Sequence, residues 1–149
     1  MKSEKESLFE KPFNTSTLLK EASSKLHFLP QYTMKLAQDL FENGFITYHR
    51  TDSFRISNIG KSIAKEYIKE NFGENFVKLR SFESAGAHEA IRATTPMDME
   101  EIKGFLMFKN INLSYNHLRL YDLIFRKFIA SQMKEAILKK ILLKFWIKK

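Results

Sequence analysis

The densest polar constellation in the sequence is Tyr48-His49-Arg50-Thr51-Asp52-Ser53. It follows Phe45-Ile46-Thr47, an aromatic and β-branched run that reads as extended backbone. In extended backbone, side chains at i and i+2 project to one side. Tyr48 and Arg50 therefore face one substrate, with Asp52 next. A phenol is a weak nucleophile while protonated, its ordinary pKa being about 10. A neighbouring guanidinium favours the phenolate and binds a phosphate oxygen at the same time. Attack on a phosphodiester requires that pairing. The same residues also suit a plain surface segment with a half-buried tyrosine and a solvated run of charge. Spacing alone leaves both readings open.

The second constellation is Gly86-Ala87-His88-Glu89-Ala90-Ile91-Arg92. If helical, it sets His88 and Arg92 on one face. Arg donates to a phosphate always, His when protonated. Glu89 lies on another face, either to orient the site or to pair at the surface. Gly86 lets backbone approach a phosphate closely. A metal reading is weak, because His88 and Glu89 are adjacent and do not converge. His27, His49 and His117 show no ligand spacing either. An ordinary helix end is the alternative for this patch. Gln38 and Glu42 share a helix face leading to Tyr48, although most such pairs are simply solvated. Walker loops, dinucleotide fingerprints and nucleophile elbows are absent. So is Asp-x-Asp spacing, and no magnesium site is expected within these residues.

Positioning these groups falls to a mainly α chain with a few short strands. The spacing predicts a helix over 15–26, with Leu18, Leu19, Ala22 and Leu26 inward and Asn14 or Thr15 as cap. A second helix runs from Pro30 to Glu42, with Met34, Leu36, Ala37, Leu40 and Phe41 as its apolar stripe. Asn43-Gly44 ends it, Gly44 taking the left-handed cap position. Helix, turn, helix, strand is the opening of a winged-helix or helix-turn-helix-like unit, which would carry Tyr48. A third helix follows Ser57 and ends near Gly73, with Ile63, Ala64, Tyr67 and Ile68 inward. Residues 78–87 read as a loop, and 88–92 as one helical turn. A short helix starts around Pro96-Met97-Asp98 and reaches Leu106. The longest begins after Ser114, burying Leu118, Tyr121, Phe125, Phe128, Met133 and Ile137. By spacing, Tyr121, Phe125 and Phe128 are core rather than a stacking platform. Residues 141–147 read as a strand.

Composition bounds the rest. A chain of 149 residues, 44% hydrophobic, holds one domain with a sizeable core. Residues 1–11 read as a charged arm or linker, 12–136 as the domain, and 137–149 as the start of a connecting strand. A net charge of +8 suits a polyanionic partner such as nucleic acid. The chain has no cysteine, which excludes disulfides and thiolate zinc sites and fits a reducing cytoplasm. No run resembles a signal peptide or membrane span. The Asn-x-Ser matches at Asn14 and Asn112 are therefore chance.

Taken in order, the two constellations resemble the type IA DNA topoisomerase family. The segment from Phe45 to Ser53 matches its Ile-Thr-Tyr-x-Arg-Thr-Asp-Ser signature. His88-Glu89-Ala90-Ile91-Arg92 matches its His-Glu-Ala-Ile-Arg motif. Phe13-Asn14-Thr15-Ser16-Thr17-Leu18, Glu21-Ala22-Ser23, the run from Leu120 to Arg126 and that from Phe128 to Met133 are similar too. The resemblance covers residues 12–136. Within the family, His49, the Gly-Ala-His-Glu string and Tyr121-Asp122-Leu123-Ile124-Phe125-Arg126 look most like reverse gyrase, which implies a hyperthermophilic origin. Two departures stand out: Phe54 where the family has Thr, and Ala93 where it has Pro.

The resemblance implies roles. Tyr48 would attack a single-stranded phosphodiester and hold the 5′ end as a phosphotyrosine. Arg50 would stabilise the developing charge, and His88 would contact the scissile phosphate or assist proton movement. Gln38, Glu42, Thr51, Asp52, Ser53, Glu89 and Arg92 would support the site and its DNA contacts. The covalent bond conserves the energy of the broken backbone, so religation needs no ATP. Magnesium would be held by a Toprim domain, and ATP by a helicase-like domain if the enzyme is a reverse gyrase. Neither domain resembles anything in this sequence, so both are expected in cis or as a separate subunit. The chain is then an excised domain or a split-gene product. It is expected to bind single-stranded or underwound DNA weakly and to be inactive alone. The alternatives are a non-catalytic winged-helix DNA-binding module, or a basic domain with a protein partner.

Overall fold

A computed structural model describes residues 10–84 and 86–134. Helix α1, Thr15–Glu21, begins with a reciprocal cap in which Asn14 and Thr17 bond each other's backbone N–H. It was expected to run on to Leu26 but passes instead into a π-helical turn, Ala22–Leu26. The Phe28 N–H closes that wide turn on the Ala22 carbonyl at 3.2 Å. His27 ends it in the left-handed region at φ 61°. Helix α2, Pro30–Glu42, has the expected bounds, with proline in its first turn and Gly44 at φ 81° just beyond its end.

Helix α3, Asn58–Asn71, is capped by the Ser57 hydroxyl, which accepts from the Gly60 N–H. A 3-10 turn, Glu74–Phe76, follows. Helix α4, Met99–Lys109, starts at an Asp98–Glu101 capping box. Helix α5, Tyr115–Ala130, begins at the Ser114 cap and packs against α2, α3 and α4. The aromatic series is core, as its spacing implied. Tyr121 stacks on Phe125 at 6.1 Å, and Tyr67 meets Phe125 edge-on at 5.2 Å. The buried Tyr121 hydroxyl donates to the Thr95 carbonyl and accepts from the Met97 N–H.

At the start of α5, Ser114, His117 and Asp39 form a hydrogen-bonded row, with 2.8 Å from Ser114 Oγ to His117 Nδ1 and 2.8 Å from His117 Nε2 to Asp39. The row resembles a hydrolytic triad but works as a joint. Ser114 Oγ already accepts the His117 backbone N–H as helix cap, and Asp39 ties α5 to α2.

Several expectations are corrected. Among the described residues there are no strands, only isolated bridges pairing Phe13 with Ile91, Ile46 with Ala93, and Val77 with Met133. The winged-helix reading therefore lacks a wing: Ile46 pairs once and the chain bends away. Residues 88–92 are not helical either. Helix α5 ends at Ala130, and Met133 is buried beyond it by its bridge to Val77. Ile137 and the strand expected over 141–147 lie outside the described residues. At the other end, Glu10 is ion-paired with Lys127, and Lys11 with Glu83, so that part of the expected arm is docked. No helix among the described residues is long and apolar enough to cross a membrane.

Candidate functional site

Three distant segments converge to build the site. The Ile91 N–H donates to the Phe13 carbonyl, and the Thr15 N–H to the Thr51 carbonyl. The Thr47 N–H donates to the Arg92 carbonyl, and the Thr94 N–H to that of Phe45. The Thr47 hydroxyl adds a second clasp, donating to the Ala90 carbonyl at 2.7 Å and accepting from the Arg92 N–H at 2.9 Å. These bonds hold residues 90–94 extended and explain why the predicted turn of helix does not form. None uses the Ala93 N–H, so a proline could stand there without losing a hydrogen bond.

Beyond Thr47 the expected alternation holds although no strand does. Tyr48, Arg50 and Asp52 are exposed, while His49, Thr51 and Ser53 are buried. The inward groups shape the backbone. Thr51 Oγ1 accepts from the Ser53 N–H, and Ser53 Oγ from the Arg55 N–H, each at 3.0 Å. Thr15 joins them, donating to the His49 carbonyl and accepting from the Thr51 N–H, both at 2.8 Å. In the sequence Thr15 stands out as a possible helix cap and as part of the family-like stretch from Phe13 to Leu18. Its signal as a brace is invisible without the tertiary fold.

Tyr48 is 40% exposed. Its ring centroid lies 5.3 Å from Phe41, 5.3 Å from His49 and 5.7 Å from His88. Beside it, Thr15, Arg50, Thr51, Asp52, Gly86 and His88 line an open groove of about 530 Å³. Arg50 and His88 thus share one groove although they come from different motifs. Among the described residues, Arg50 has no carboxylate partner, so its guanidinium is available to an anion. Gly86 adopts φ 64°, a left-handed conformation that suits glycine and lowers the groove wall. On α2, Gln38 donates to Glu42 at 2.9 Å at the surface.

Arg92 does not reach the groove. Only 5% exposed, it bonds both Glu89 oxygens at 2.9 and 3.1 Å and also the Ala93 carbonyl. Burial pushes the Glu89 carboxyl up, but bonds from Arg92 and the Ser57 N–H outweigh it and leave the pKa lowered. Packing confirms the strut: a Cβ on Gly60 would stand 2.7 Å from Arg92 Nε. The pair joins the start of α3 to the second motif. Arg92→Met keeps the bulk but strands Glu89, and should cost about 2–3 kcal/mol, less than for a fully buried pair because the Glu89 side chain is 22% exposed and water can take up part of its charge. Denaturant unfolding checks this; an unchanged midpoint would make the pair ornamental.

His49 is 4% exposed, and neither ring nitrogen meets a protein hydrogen-bonding group. Burial lowers its pKa below the ordinary 6.5, and Arg50 adds to this while Glu42 opposes it. A lowered folded-state pKa means stability that is present above 6.5 and lost as pH falls, because the unfolded chain takes the proton first. Glu89 and Glu21, also lowered, act in the same direction below 4.5. The melting temperature should therefore fall in two phases on acidification, with His49→Phe lacking the upper one. A flat profile from about pH 7.5 to about pH 5 would contradict this.

A family model described as DNA topoisomerase matches residues 1–149. The chain belongs to the type IA DNA topoisomerase family. It is 51% identical to a reverse gyrase of Pyrobaculum aerophilum over 132 residues, 85% of this chain and 11% of the relative. It is 50% identical to a reverse gyrase of Pyrococcus furiosus over 129 residues, 84% of this chain and again 11% of the relative. Full-length topoisomerase I from Thermotoga maritima superposes with a TM-score of 0.70 at 44% identity, covering 84% of this chain and 20% of that one. The chain thus spans about 11% of the length of the curated relatives it matches. Within this topoisomerase chain, Glu89 is committed to Arg92 and Ser57. No group of three His, Asp or Glu among the described residues is placed to hold a metal ion. This donor set does not fit a magnesium site.

Proposed function

We propose that Tyr48 cuts and rejoins one DNA strand as part of a larger type IA topoisomerase, of the reverse gyrase kind. The observation that carries the reading is the exposed Tyr48 phenol beside a groove shared by Arg50 and His88. The Tyr48 oxygen attacks the phosphorus and loses its proton. The bond from phosphorus to the neighbouring 3′ oxygen breaks, and that oxygen takes up a proton. The 5′ end stays on Tyr48 as a phosphodiester, so attack by the freed 3′ hydroxyl restores the strand without ATP. Arg50 neutralises the phosphate as its charge builds, and His88 binds it or moves the proton. Thr51, Ser53, Glu89 and Arg92 hold the scaffold, while Gln38, Glu42 and Asp52 flank the strand.

The magnesium of the reaction, and the ATP of a reverse gyrase, belong to Toprim and helicase-like segments outside these residues. The chain alone is then inactive and binds single-stranded DNA weakly, with an affinity that falls steeply with salt. Among the described residues, no wing supports the alternative of a non-catalytic winged-helix module.

The test mixes the chain with a Toprim-bearing topoisomerase polypeptide, magnesium and 3′-labelled single-stranded DNA, then traps and maps the adduct. Label on the peptide containing Tyr48 is expected. Label on another peptide would overturn the assignment, and plasmid relaxation by the chain alone would overturn its proposed dependence on a partner.

A further inference from the structure

The core face of α2 is filled by Thr33, Leu36, Ala37 and Leu40, yet Phe41 remains 38% exposed. Its ring meets Tyr48 at 5.3 Å and 65°, and His49 at 5.8 Å and 47°. The rest of the ring faces water, where apolar area gains nothing from folding. Charged and polar groups stand on both sides of Tyr48. Glu42, the next residue, is exposed and acts on His49 through space. Its carboxylate repels a phosphate from the Phe41 side. In the groove, Arg50 and His88 offer donors to a phosphate, with Asp52 the one carboxylate of its lining. The exposed Phe41 ring, packed beside Tyr48, is thus within reach of a base next to a phosphate held at Tyr48.

We propose that Phe41 is a stacking platform for the base adjoining the scissile phosphate of a single DNA strand. The proposal rests on the reading of Tyr48 as nucleophile and adds to it a contact with the substrate. Stacking on a ring accepts any base, so Phe41 contributes affinity and alignment rather than a sequence code. It also separates duplex from single strand, because a paired and stacked base has no free face to offer.

The test uses the chain with its Toprim-bearing partner and 3′-labelled single strands carrying one abasic nucleotide, moved stepwise past the cleavage point. Affinity and adduct yield are both read. One abasic position should weaken binding by roughly 5- to 150-fold. Phe41→Ala should weaken the intact strand similarly, and the abasic penalty at that position should then vanish. Phe41→Trp should restore both; Phe41→Leu, which keeps apolar bulk and guards against a folding defect, should not. An abasic penalty that persists unchanged in Phe41→Ala would reduce Phe41 to a prop for Tyr48 and overturn the proposal. If no strand gives an adduct in the wild type, the Tyr48 reading fails by itself, and the affinity measurements still decide the stacking.

Discussion

Tyr48→Phe is expected to abolish covalent capture of a DNA strand while leaving DNA affinity and melting temperature unchanged. The substitution removes one oxygen and nothing else. The ring keeps its neighbours Phe41, His49 and His88. The residue is 40% exposed, so no buried donor or acceptor is left unmet. Loss of adduct with folding and binding intact thus isolates the chemical step. Residual adduct in the variant, at any yield near that of the wild type, would move the nucleophile elsewhere.

Arg50→Ala should slow strand cleavage by roughly 10²- to 10³-fold, the usual consequence of removing one charged group aimed at a developing anion. Arg50 is exposed beside the groove, so its removal should not unfold the chain. Binding should suffer less than the rate, because other contacts hold the rest of the strand, and the salt dependence of binding should lose about one phosphate contact. Arg50→Lys should recover part of the rate: it restores the charge but not the planar fork. Single-turnover cleavage and a salt titration separate the two effects. A rate loss no larger than the affinity loss would make Arg50 a binding residue only.

What the sequence revealed and what it concealed divide along local and long-range causes. The bounds of α2 were legible because a proline, a helical stripe and Asn43-Gly44 each act within a few residues. Asp98 and Ser114 were legible as start signals for the same reason, and both turn out to be caps. The alternation from Tyr48 to Ser53 was legible from the backbone run before it. The fate of 88–92 was not, because its partner is Thr47, which local preference cannot foresee. Arg92 was misplaced with it, since a residue that should have faced a phosphate with His88 is instead a buried strut. Phe41 was read as core from its place on the stripe. Only the packed α2 shows the core face complete without it.

The clasp between Thr47 and residues 90–92 has a consequence for the order in which the protein becomes competent. Contacts of such sequence separation close late, because chain entropy must be lost before they are rewarded. During synthesis Tyr48 leaves the ribosome well before Arg92, as an ordinary phenol on an unstructured chain. The groove needs residues 13–15, 45–53 and 86–94 to have met, since each of these segments lines it or clasps another that does. A half-folded molecule therefore has a tyrosine but no means of aiming it. On the proposed reading, folding supplies the aim and the Toprim-bearing partner the metal, so neither a half-folded chain nor a lone folded one cuts DNA.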